Sequence, residues 1–164
     1  MVEIGHLYGG KICAALDRQH PRDLFDINYM LKKERFSNTI KKGFLFYLIS
    51  SNRPIKEMLF PLLKDQEDAL ENQFQGMSEQ KFTYEDYIET REKLIREVQQ
   101  SLTASDKEFL LSIEAAQPNW DIYDFSYFPA VKWKLRNIKQ LKVKNPQKHN
   151  SLYHGLKEYL DSLN

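Results

Sequence analysis

Tyr84, Tyr87, Ile88, Leu94, Ile95, Val98 and Leu102 recur at helical spacing along one uninterrupted stretch, a pattern that no strand can bury on one side. The stretch opens on Thr83 with Asp86 three residues later, the arrangement of a capping box. Thr103 and Asp106 repeat it and predict a second helix carrying Phe109, Leu110 and Ile113, which Pro118 ends or follows. Upstream, Phe36 to Ser50 is apolar nearly all round, so that helix is expected to be buried on more than one side. Pro54 suits the first turn of the next element, Pro61 a fresh start or a kink, and Gly76 a C-terminal stop. Residues 119–128, NWDIYDFSYF, lose the helical period and read as an ordered connector that can run extended. Phe128, Val131, Leu135, Ile138 and Leu141 then form an apolar stripe, Asn145-Pro146 interrupts it, and a last helix is expected from about 151 through 160. The sequence has no Pro-, Gly- or Ser-rich linker and no repeat. Residues 1–164 are therefore predicted to form a single all-α domain, a multi-helix bundle.

Composition narrows the function. No apolar run approaches the roughly 20 residues of a membrane span, and the N-terminus lacks the layout of a secretory signal, so a cytoplasmic location without membrane partners is expected. Cys13, the one cysteine, lies in a helical pattern between Ile12 and Ala14 and reads as a small core residue. The net charge of +1 hides a division. Residues 65–97 hold ten acidic side chains against four basic ones, whereas residues 129–150 hold Lys132, Lys134, Arg136, Lys139, Lys142, Lys144 and Lys148 with no acid. A solvent-facing basic stripe would attract RNA, with Lys132, Lys134, Arg136, Lys139 and Lys142 as the contacts. Equally, acidic and basic helices can neutralise one another across a bundle.

The stretch YGGKICAALDRQHPRDLFD, residues 8–26, concentrates opposite charges around a His-Pro break. Residues 4–18 read as a helix with Lys11 and Arg18 on one face. Gln19-His20 ends it, because a residue before proline avoids helical angles, and Pro21 suits the first position of the next helix. Asp23 and Asp26 share one side of that helix, so the corner can bring a lysine and two carboxylates to one cleft. Local physics also accommodates a plainer assignment: Asp23 favoured by the helix N-terminus and Arg22 paired with Asp26. Lys11 lies among Tyr8, Ile12 and Ala15, where a buried ammonium needs a carboxylate or a phosphate.

GGKICAALDRQHPRDLFDINYML resembles the later two signature motifs of the AbiEii-type nucleotidyltransferases, toxins of abortive-infection toxin–antitoxin systems: a lysine in a KxxAxxxR setting followed by RDxxD. LTASDKEFLLSIEAAQPNWDIYDF and FPAVKWKLRNIKQL are similar to the family's C-terminal helical region. The resemblance implies that Lys11 contacts nucleotide phosphates, that Asp23 and Asp26 organise the active site, and that Arg18 and Arg22 support them. It implies NTP as substrate with Mg2+ bridging its phosphates, an acceptor such as tRNA, and a cognate antitoxin. The family's first motif, a Gly-Ser turn followed by a metal-binding aspartate on a sheet, has no counterpart, and no Gly-Ser dipeptide occurs. The chain is therefore expected to correspond to the C-terminal helical part of such an enzyme, without the sheet subdomain, from a truncated or split gene, and to be silent without that half.

Two other readings stand beside this one: a non-enzymatic helical module binding RNA or protein through residues 132–148, and a helical unit that forms a homodimer. His6, His20, His149 and His154 lack metal-ligand spacing, so no metal ligands are expected. Gly9-Gly10 is too little for a phosphate loop.

Overall fold

Short polar side chains and prolines set most of the helix starts. The computed structural model describes residues 3–74, 76 and 79–163, and every regular element among them is helical. In chain order these are α1 (Ile4–Arg18), α2 (Pro21–Lys33), α3 (Asn38–Ser50), α4 (Ile55–Leu59) and α5 (Glu67–Ala69), which continues as a π-helical turn at Leu70–Phe74. They are followed by α6 (Tyr84–Ser101), α7 (Ala104–Glu114), α8 (Pro129–Lys144) and α9 (Pro146–Asp161).

Both capping boxes form. Thr83 Oγ1 accepts from the Asp86 amide at 3.1 Å while Asp86 Oδ2 accepts from the Thr83 amide at 2.9 Å, and Thr103 with Asp106 repeats this at 3.1 and 2.8 Å. Ser37 caps α3, so that helix begins at Asn38, two residues after the expected Phe36. The connector 119–128 forms no strand: turns at 120–122 and 126–127 are joined by irregular backbone, Phe128 is extended, and Trp120, Tyr123, Phe125 and Phe128 pack on the core. The last helix starts at Pro146, five residues before the expected position. Asn145 accepts from the Lys148 amide, and Pro146 occupies the first helical position, where its missing N–H costs nothing.

The core runs through α3, whose Ile40, Phe44, Leu45, Leu48 and Ile49 are all buried, as the all-round apolar pattern requires. Around them lie Leu24, Ile27 and Met30 of α2, Tyr87, Leu94 and Val98 of α6, and Phe109, Leu110 and Ile113 of α7. Cys13 is buried, and its Sγ lies 3.8 Å from the Phe44 carbonyl oxygen. Burial pushes its thiol up from the ordinary 9.0, as suits a packing residue.

α1 crosses α3 with backbone against backbone. A β-carbon at Gly43 would stand 1.9 Å from the Gly5 carbonyl oxygen, and one at Gly9 would stand 2.4 Å from the Gly43 carbonyl carbon. Only glycine allows that approach. Two residues before Gly43, Lys41 of α3 and Asp106 of α7 form a buried ion pair at 2.7 Å, to which the Tyr123 hydroxyl donates at 2.6 Å.

The division of charge is not cancelled by contact. α8 packs on α3 and α9, and α6 on α2 and α4; among the described residues no ion pair joins segment 65–97 to segment 129–150.

Candidate functional site

The corner between α1 and α2 is held by Gln19. Its backbone is left-handed, with φ 54° and ψ 27°, a conformation that costs a non-glycine residue about 1–3 kcal/mol and needs outside support. That support is a buried network. The Gln19 side-chain amide donates to the Leu62 carbonyl at 2.8 Å and accepts from the Lys64 amide at 2.9 Å and from Arg91 Nη1 at 3.0 Å. The Tyr87 hydroxyl donates to the Gln19 carbonyl at 2.5 Å. His20 then runs extended, its Nδ1 accepts from the Arg22 amide, and Pro21 starts α2.

Turned back by this corner, α2 lays its carboxylates along α1. Lys11 Nζ lies 2.9 Å from Asp26 Oδ2, and Arg18 Nη2 lies 2.8 Å from Asp23 Oδ1. Both pairs line one cleft of about 420 Å³, whose other walls are His6, Leu7, Gly10 and Ala14 of α1 and Tyr47 of α3. The Lys11 side chain is 39% exposed, so its ammonium is not buried as its apolar sequence neighbours suggested; it reaches to the edge of the cleft and finds Asp26 there. Asp23 Oδ2 is buried and accepts no hydrogen bond from the described residues. Arg22 is exposed and does not line the cleft, and Asp26 pairs with Lys11.

Two features escaped the sequence. Tyr47 is submerged in the apolar run of α3, and Gln19 looks like any polar residue at the end of a helix. A signal for Tyr47 exists, because Tyr is the residue of that run with a polar tip, and such tips seek a partner or a cleft.

The basic segment separates into three parts. Lys132, Arg136 and Lys139 flank a shallow groove on α8 of about 550 Å³, floored by Leu135 and Val143. Beside them Trp133 is 55% exposed, with the Arg136 guanidinium 5.8 Å from its ring centre. Lys142 turns to the Ala115 carbonyl at 3.3 Å, just past α7. Lys134 is buried, not part of a solvent-facing stripe: its Nζ donates to the carbonyls of Ser51 and Arg53 at 2.6 and 2.8 Å, holding the end of α3. It stands three residues from Val131, on the buried side of the helix.

Two carboxylates, each engaged by a cation, do not make a metal centre, and among the described residues no three metal-ligating side chains gather. The Mg2+ that the resemblance implies finds no ready ligand set in the cleft. No helix of the described residues is long and apolar enough to cross a membrane.

A family model described as Nucleotidyl transferase AbiEii toxin, Type IV TA system, matches residues 1–137. No curated protein and no solved structure matches the chain.

Proposed function

The chain belongs to the AbiEii family of nucleotidyl transferase toxins of type IV toxin–antitoxin systems, and from that premise we propose that its α1–α2 cleft receives the phosphates of a nucleoside triphosphate. The nucleotide then passes to an acceptor such as tRNA. Lys11 neutralises phosphate oxygens, Arg18 supports it, and Asp26 and Asp23 hold the two cations in position before the ligand arrives. Phosphoryl-type transfer is mostly positioning and charge neutralisation, and fixed cations are what it needs. The carrying observation is the Lys11–Asp26 pair, formed at 2.9 Å across a corner that 15 residues of sequence would otherwise keep apart.

With no Gly-Ser motif in the sequence and, among the described residues, no third carboxylate lining the cleft, the chain is read as binding nucleotide without transferring it unaided. Family membership implies a cognate antitoxin. These substrates are found in the cytoplasm, and the reading carries that location with it.

Equilibrium titration with each ribonucleoside triphosphate tests the cleft. Lys11→Ala is expected to weaken binding by about tenfold or more, the loss of one charge-assisted contact. Affinity indifferent to Lys11 overturns the assignment. Incubated with labelled triphosphate and tRNA, the isolated chain should leave the RNA unlabelled.

A second reading is favoured by Trp133 and its basic neighbours on α8: a surface that binds RNA without chemistry, stacking on the indole and contacting phosphates through Lys132, Arg136 and Lys139. In that case, RNA affinity falls steeply with salt and with Lys132→Glu, Arg136→Glu and Lys139→Glu together, and ignores Lys11→Ala.

A further inference from the structure

Resting on the reading that Lys11 receives phosphate, we propose that the other end of the same cleft is a nucleobase platform and that Tyr47 is the residue on which the base stacks. The lining changes character along α1. Leu7, Lys11 and Arg18 follow one another up the same side of the helix, and at about 1.5 Å per residue the groove runs roughly 16 Å from Leu7 to Arg18. Its N-terminal end is apolar and aromatic, made of His6, Leu7 and Tyr47, and its other end is ionic. A nucleoside triphosphate has the same polarity: a flat aromatic ring at one end and a polyanion at the other.

Tyr47 is placed for this by Gly10. A β-carbon at Gly10 would lie 3.4–3.7 Å from the hydroxyl-bearing edge of the Tyr47 ring, so the ring rests on nearly bare helix one residue from Lys11. Phe46 and His6 meet Tyr47 edge-to-face, with ring centres 5.3 and 6.3 Å away, and fix its plane. Tyr47 is half-buried, packed against the core on one side and lining the cleft on the other.

Calorimetric titration with a nucleoside triphosphate and, separately, inorganic tripolyphosphate tests the platform. Tyr47→Ala is expected to weaken the nucleoside triphosphate by roughly tenfold, the loss of one base stack, and to leave tripolyphosphate unchanged. Tyr47→Phe should keep wild-type affinity for both. Unchanged nucleotide affinity in Tyr47→Ala, an equal loss for tripolyphosphate, or an equal loss in Tyr47→Phe each overturns the stacking role. Failure of the phosphate reading shows separately, as tripolyphosphate binding that is absent or indifferent to Lys11→Ala, and it removes the platform as well. If Tyr47→Ala does not fold, Tyr47→Leu serves in its place, keeping the apolar contact without the flat ring, with the same outcomes.

Discussion

A lysine on an apolar stripe either distorts its helix or finds carbonyls, and Lys134 finds two. Burial pulls its ammonium down from the ordinary 10.5 to about 8, against the opposing pull of Glu114. Between those values the unfolded chain holds a proton that the folded chain has released, so this group's contribution to stability rises with pH. Denaturant unfolding at about pH 7.5 and about pH 9.5 should therefore show wild type gaining on Lys134→Met as pH rises. A difference that stays flat rules this out. Cys13, held protonated mainly by burial, acts in the opposite direction at alkaline pH, and that burial is common to both proteins. The burial of Lys134 was legible, because it shares the i, i+3 register of Val131, although the run of basic residues drew the eye to charge. Gln19 was not legible: nothing local marks a glutamine for left-handed backbone, which is imposed by partners 43 to 72 residues away.

Helix boundaries were the most readable elements, since a capping side chain and a proline act within three or four residues. α1, α2, α6 and α7 follow their Thr-x-x-Asp and His-Pro signals closely; α9 starts before the expected position because Asn145-Pro146 is a cap followed by a first-turn proline and not a break. The α1–α3 crossing was illegible, since Gly43 meets Gly5 across 38 positions of sequence. Adding one methyl separates packing from mere presence of glycine. Gly43→Ala should lower stability by about 3 kcal/mol or more, because its β-carbon meets backbone that cannot yield. Gly10→Ala meets only the edge of the Tyr47 ring at 3.4 Å and should change stability by less than about 1 kcal/mol. Thermal melts of the two variants check this, and equal losses would mean that the helices do not touch as described.

At the scale of the molecule the all-helical architecture was readable from periodicity, whereas which charges meet was not. The opposed segments suggested broad neutralisation, yet the buried pair is Lys41 with Asp106, on helices far apart in sequence. Burial alone would raise the Asp106 carboxyl, but hydrogen bonds from Lys41, Tyr123 and Thr103 hold it below the ordinary 3.8. Its stabilising contribution is thus present at neutral pH and fades as pH falls through that range. Lys41→Met should cost about 3–5 kcal/mol by stranding a buried carboxylate, and adding Asp106→Asn should recover part of the loss, a coupling read from a double-mutant cycle in urea. Strict additivity would remove the pair from the account. The Gln19 network carries a consequence of a different kind. The walls of the α1–α2 cleft come from α1, α2 and α3, yet the bend that sets their separation is pinned by Tyr87 and Arg91 of α6. Drift along that remote helix would retune ligand affinity with every residue that touches the ligand left unaltered.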